Sequence, residues 1–380
     1  RAVAEVAVGL LAACTRLRLP GTANPFVVGV HEPMRAELTL ENLPVTGAIP
    51  PGLDGLYLKM GANPVRPATR GHDWFLGDGM VHGLALEGGR ALWYRNRWIN
   101  SRTAATALER PAAPGPRRGG NDTVNTNVVE IGGRIFAVVE AGSFPVELAR
   151  TLEEQRYNPF DGTLAGSFTG HPHRDPLTGE THAVAYDGRV WDSVRHVVLA
   201  PSGQVVREVP VAVAHGPCIH DCAITANYSI FPDLPLVFDF EKLTQGESMI
   251  GWDPSNGSRI GIVPRFGDDE TIRWFDIEES FLFHVANAFE QGDEVVMQAC
   301  RSDHGAIETS ENRDVREQLG RLHEWRFNMK TGAVSSKRMI DDQYCDFPRI
   351  LDDLTGYPNR YIYAARFRVN EMATFDAEMK

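Results

Sequence analysis

A chain that keeps repeating a short apolar alternation, a glycine-bearing turn and a second alternation can bury its apolar faces only by packing sheets. That pattern begins at Leu84–Tyr94 (LALEGGRALWY) and recurs at Val128–Glu140, Val197–Val211, Phe289–Cys300 and Trp325–Ser336. Each copy sets a GG, SG, GD or TG pair between alternating apolar positions, which predicts a β-hairpin. Hairpins spread over most of a chain, with few long helical patterns between them, predict an all-β sandwich, barrel or propeller of radial blades. The length of 380 residues and the repetition favour the propeller. Ser101–Asp122 and Phe231–Arg259 interrupt the hairpins and read as loops or caps. No shift of composition marks a second domain, so residues 24–380 read as one propeller domain.

The 38 basic and 50 acidic residues give a net charge of −12, which argues against a nucleic-acid partner and against polybasic membrane anchoring. A small or neutral substrate fits better. The five cysteines, Cys14, Cys218, Cys222, Cys300 and Cys345, are scattered without a disulfide framework and predict a reducing, cytoplasmic setting. In segment 1–23, Val3, Val6, Leu10, Cys14 and Leu17 fall on one apolar helical stripe, too short for a membrane span. Two readings stand for it: a helix packed on the body, or shallow insertion into a bilayer surface that gives access to a lipid-dissolved substrate. Weak peripheral membrane contact is the sharper expectation.

Chemistry enters with three histidines in distinctive strings: His171 in GHPHRDPLTGE, His220 in CIHDCAIT and His284 in FLFHVANAFE. All three read as strand-like and apolar, and burying several imidazoles is costly unless each nitrogen has a partner. A metal site assembled in space meets that requirement, because neutral imidazole is a common ligand of first-row transition metals. If Cys218–Cys222 is a strand, Cys218, His220 and Cys222 share one face, which leaves zinc as an alternative. No second close-spaced ligand pair matches it, and the two thiols read rather as small core residues. An all-histidine iron site is the other reading. It needs acids behind the ligands, and Glu140, ending the run Ile135–Val139, and Asp346, between Cys345 and Phe347, are the best-placed candidates.

These residues are part of a longer series: NPF at Asn24–Phe26, GAIPPGLDGLYLKMGANP at Gly47–Pro64, HDWFLGDGMVHGLAL at His72–Leu86, YRNRW at Tyr94–Trp98, NTNVV at Asn125–Val129, VEAG at Val139–Gly142, FDG at Phe160–Gly162, RWFDIE at Arg273–Glu278 and FPRI at Phe347–Ile350. In this order, from about Asn24 to the end, the chain resembles the carotenoid cleavage oxygenases, whose relatives include lignostilbene dioxygenases and the retinoid isomerohydrolase. The resemblance implies a seven-bladed propeller carrying Fe(2+) on its axis, held by four histidines beneath a cap of loops and short helices that forms an apolar tunnel.

By motif position, His171, His220 and His284 resemble three of the iron ligands, and Glu140 the acid that orients one of them. Asp346 stands where many members have glutamate, so its shorter side chain is expected to reach its histidine differently or through water. Thr126 resembles the residue that faces the open coordination position. His82 matches a motif without being a ligand and reads as structural. No fourth ligand is evident: His304 and His323 sit in polar strings, SDHGA and RLHEW, and the chain reads as lacking its closing C-terminal part. The activity implied is Fe(II)-dependent cleavage of one C=C bond of a carotenoid or apocarotenoid by O2, giving aldehyde or ketone fragments. Stilbene cleavage is the alternative. Trp98 and Val139 stand where lignostilbene-type members have tyrosine and lysine, and apolar residues there favour a hydrocarbon. From a different class, a non-catalytic propeller that binds an apolar ligand remains open.

Overall fold

The computed structural model describes residues 31–66, 75, 77–238, 250–305, 319–367 and 375–379. The expected amphipathic segment 1–23 lies outside these residues. The chain clusters into two compact units, Arg1–Gly170 with Ser202–Gln204, and His171–Pro201 with Val205–Lys380.

In the first unit, β1 (Thr39–Glu41), β2 (Gly55–Ala62), β3 (Gly79–Glu87) and β4 (Arg90–Trp98) form one antiparallel sheet in the order β1-β4-β3-β2. A second sheet runs in chain order through β5 (Asn127–Ile131), β6 (Arg134–Val138), β7 (Val146–Leu148) and β8 (Gln155–Tyr157). Two predicted hairpins supply β3–β4 and β5–β6. Their turns hold φ of 55° and 74° at Gly88 and Gly89, and 60° and 76° at Gly132 and Gly133, the paired positive values of a type I′ turn. Val81, Ile99, Val124, Ile135, Val146 and Leu152 pack together as this unit's core. Ser101–Asp122 is more ordered than a plain loop: it contains α1 (Arg102–Ala107), with the Ser101 hydroxyl accepting the Ala104 N–H at 3.1 Å. The buried Asp122 carboxylate fixes the far end by accepting from the Arg102 N–H and the Arg117 guanidinium at 3.0 and 2.6 Å.

Among its described residues, the second unit holds four sheets and a ribbon. β9 (His173–Arg174), β10 (Thr181–Asp187), β11 (Val190–Leu199) and β12 (Val205–Ala212) make the first. β13 (Ala223–Ile224) and β14 (Tyr228–Asp233) form the next with β17 (Ser258–Pro264) and β18 (Arg273–Ile277), while β15 (Leu236–Phe238) pairs with β16 (Ile250–Trp252) as the ribbon. β19 (Phe281–Gln291), β20 (Glu294–Ser302), β21 (Arg321–Asn328) and β22 (Val334–Arg338) follow, then β23 (Cys345–Arg349), β24 (Tyr363–Phe367) and β25 (Phe375–Met379). Each four-stranded sheet is antiparallel, the form of a propeller blade.

The three remaining predicted hairpins become β11–β12, β19–β20 and β21–β22. The loop reading of Phe231–Arg259 is corrected: it contains the end of β14, both ribbon strands and the start of β17. Its prolines concealed this. Pro232 lies opposite Ile260 of β17 but beyond the two-residue pairing with β13, where a missing N–H leaves no second ladder unfilled. Ile230, Ile260, Phe281, Met297, Trp325 and Phe327 anchor this unit's core. Cys218, Cys222, Cys300 and Cys345 are free thiols. No helix among the described residues is long and apolar enough to cross a membrane.

Candidate metal centre

The three singled-out histidines converge within the second unit. His171 lies two residues before β9, and His220 three before β13. His284 is inside β19, where the register with β20 shifts between Leu282 and Val285, and such an irregularity re-aims a side chain. Only His284 therefore sits in a strand. The expectation that Cys218, His220 and Cys222 share a strand face is corrected, because this segment is irregular: the Asp221 side chain takes the Cys222 N–H at 2.7 Å in place of a ladder bond. The thiols also diverge, Cys218 Sγ lying 3.2 Å from the Tyr186 hydroxyl and Cys222 Sγ 3.9 Å from the His171 carbonyl.

His220 Nε2 stands 3.0 Å from His171 Nε2 and 3.3 Å from His284 Nε2. On the far side of its ring, His284 Nδ1 meets Asp346 Oδ1 at 2.9 Å, which assigns the Nδ1–H tautomer and leaves Nε2 a lone pair. Aspartate thus reaches its histidine directly. The strand bends just after it: Phe347 has φ of 53°, its N–H returns to Asp346 Oδ1 at 2.8 Å, and its ring lies 4.6 Å from that of His284. Burial, reinforced by a neighbouring charge on His220, holds the His171 pKa well below its ordinary value, so this ring is neutral.

Three ring nitrogens facing one another at this spacing cannot all be satisfied by hydrogen bonds among themselves. A cation between them would resolve the conflict, since imidazole–metal bonds of about 2.0–2.1 Å bring ligating nitrogens to roughly 3 Å from one another. His171, His220 and His284 thus form a cluster compatible with a metal ion. A second group, His173, Asp221 and Cys222, lies alongside. Its chemistry is different. Asp221 Oδ1 accepts from His173 Nε2 at 2.8 Å and from the Cys222 N–H, while Oδ2 accepts the Val285 N–H at 2.8 Å. Burial, then the Asp221 charge, pushes the Cys222 thiol well up, so it stays protonated and is a poor ligand. Sequence reading missed Asp221 and His173, although the H-P-H and H-D strings carried both.

Thr126 and Glu140 belong to the first unit. Asn127 Nδ2 donates to the Gly170 carbonyl at 2.9 Å, and a Cβ on Gly170 would come within 2.5 Å of Thr126 Cγ2, so these residues fix the chain just before His171. Glu140, half-buried, bridges to Phe168 where the chain turns sharply at Ala141, with φ of 50°. His82 pairs Nδ1 with the Tyr94 hydroxyl at 2.8 Å. Trp98 is buried, its indole N–H donated to the Asn63 carbonyl at 2.9 Å. His304 and His323 both stand apart from the histidine cluster. His323, for all its polar string, is a buried residue of β21, its ring 4.4 Å from that of Trp325.

The family model described as retinal pigment epithelial membrane protein matches residues 31–380. A carotenoid cleavage oxygenase of Mycobacterium tuberculosis is 38% identical, over 90% of this chain and 77% of its own length. The chain belongs to the carotenoid oxygenase family. A carotenoid 9,10(9',10')-cleavage dioxygenase 1 of Arabidopsis thaliana is 33% identical, over 89% of this chain and 69% of that protein. The crystal structure of Pseudomonas brassicacearum lignostilbene dioxygenase superposes with a TM-score of 0.81 at 25% identity, covering 92% of this chain and 78% of that one. The all-β propeller class expected from the hairpins holds in this family. Membership makes the protein a dioxygenase-type enzyme whose chemistry is the oxidative cleavage of carotenoid-like alkenes.

Proposed function

We propose that the protein is an Fe(II)-dependent dioxygenase that uses O2 to split one C=C bond of a carotenoid or apocarotenoid into two carbonyl fragments. The convergence of the His171, His220 and His284 Nε2 atoms, with Asp346 behind the third, is the observation that carries this reading. These three imidazoles would hold the iron, which when bound supplies the activation of dioxygen. Asp346 holds the His284 proton on Nδ1 and keeps Nε2 free to ligate. By motif position Glu140 orients another ligand, and Thr126 faces the open position and restricts what approaches it. Phe283 and Phe347, with rings 5.2 Å from His220 and 4.6 Å from His284, give the cluster an apolar border that suits a hydrocarbon. A cytoplasmic location with peripheral membrane contact through segment 1–23 belongs to the same proposal, since the substrate dissolves in lipid.

Stilbene cleavage is the second reading, favoured by the likeness to the lignostilbene dioxygenase structure. Against it, the Trp98 indole N–H is already committed and Val139 is apolar, so neither meets a substrate phenol, and an unmet buried hydroxyl costs about 1–3 kcal/mol. The test is turnover of a carotenoid and apocarotenoid panel, with resveratrol beside it, by iron-loaded protein under 18O2. Labelled aldehydes from polyenes, lost in His220→Ala together with stoichiometric iron, are expected. An iron-loaded protein inert toward the whole panel overturns the proposal; faster turnover of resveratrol moves it to the second reading.

A further inference from the structure

One buried carboxylate touches the chain beside every histidine of the cluster. Asp221, only 6% exposed, follows His220 directly. Its Oδ1 accepts from His173 Nε2 at 2.8 Å, two residues after His171, and from the Cys222 N–H at 2.7 Å, two residues after His220. Its Oδ2 accepts the N–H of Val285, the residue after His284, at 2.8 Å, where β19 shifts register against β20. Burying a carboxylate is costly unless it is fully hydrogen-bonded, and here three donors from three separate segments satisfy it. None of these donors is a cluster histidine. Whatever Asp221 does for the cluster passes through the chain that carries it.

We propose that Asp221 is a positioning residue: its carboxylate clamps the segments bearing His171, His220 and His284 together and so presets the separation of their Nε2 atoms for the metal. The proposal rests on the metal reading of that cluster. It assigns Asp221 a task unlike that of Asp346. Asp346 orients one ring, whereas Asp221 sets the spacing of three. Preorganised ligands bind more tightly because less chain has to be ordered when the ion arrives. Asp221→Asn keeps the size but replaces one acceptor oxygen by an NH2 group, which faces a donor and breaks the clamp on at least one segment.

The experiment titrates the metal-free full chain with Co(II), whose visible spectrum reports ligand geometry, and follows amide exchange by mass spectrometry without metal. For Asp221→Asn, Co(II) binding at least about tenfold weaker, a changed spectrum and faster exchange confined to residues 171–175, 218–224 and 282–288 are expected. His173→Ala releases one segment only and should weaken binding in the same direction by less. Phe327→Leu, a core lesion in β21, should lower the melting temperature without changing the spectrum. Wild-type affinity and spectrum in Asp221→Asn overturn the clamp and leave Asp221 a structural residue. If that variant does not fold, an unchanged His173→Ala overturns it instead. A wild-type chain that takes up no Co(II) overturns the metal reading, and the clamp falls with it.

Discussion

Replacing Asp346 tests how the metal cluster is built. Its Oδ1 serves two donors, His284 Nδ1 at 2.9 Å and the Phe347 N–H at 2.8 Å, in a residue only 8% exposed. Asp346→Ala leaves both donors without their acceptor. An unmet buried donor costs about 1–3 kcal/mol, and because half-exposed Phe347 lets water reach its N–H, the sum should fall near the low end, about 2–3 kcal/mol of stability. The His284 ring also loses the contact that fixes its tautomer and angle. Loss of such a partner typically weakens metal binding 10- to 100-fold, about 1.4–2.8 kcal/mol. Asp346→Glu is the sharper arm. Because aspartate already spans the distance, an added methylene has to be accommodated by overpacking, at about 1–3 kcal/mol, and metal affinity should fall rather than rise. Co(II) titration against a competing chelator, with thermal denaturation of the metal-free protein, measures both effects. Unchanged affinity in the alanine variant, or tighter binding in the glutamate variant, would refute the reasoning.

Two further outcomes follow from groups outside the histidine cluster. Gly170→Ala drives a Cβ to 2.5 Å from Thr126 Cγ2, immediately before His171, and should lower both metal occupancy and melting temperature. Adding Thr126→Ser removes that methyl and should restore them; failure of this rescue in metal analysis and melting would show that the clash is not the cause. Stability should also fall with acid. His182 and His196 share the Ser229 hydroxyl in the interior, and burial pushes their pKa values from 6.5 down to about 3 and about 4. The unfolded chain takes up these protons below pH 6.5 while the folded one does not, so stability present above that pH is lost as pH falls toward 4. At pH 5 the loss is roughly 2 kcal/mol for each histidine. Denaturant melts from pH 7 to 5 should show this slope reduced in His196→Gln, and an equal slope in the variant would exclude the pair as its source.

All five predicted hairpins were legible because a type I′ or related turn is decided within a few residues: Gly88–Gly89 and Gly132–Gly133 supply positive φ where few other residues can. Turn residues could also mislead. The prolines of Phe231–Arg259 hid two ribbon strands, since whether a proline disrupts a sheet depends on which neighbour needs its N–H. His171, His220 and His284 stood out through their strings, yet only one lies in a strand, and a shift of register, invisible in the sequence, aims it.

What the sequence determined by itself was therefore local: the sheet class, the turn positions, and the residue types able to bind a metal. Tertiary structure decided which of those residues meet. His171 and His220 are 49 residues apart, His220 and His284 64, and His284 and Asp346 62, separations over which no backbone preference acts. Their convergence depends on sheet packing and on buried carboxylates that must find donors wherever the folded chain provides them. Asp221 is the clearest case. In sequence it is one acid after a histidine, and only the folded chain brings His173, Cys222 and Val285 to its two oxygens.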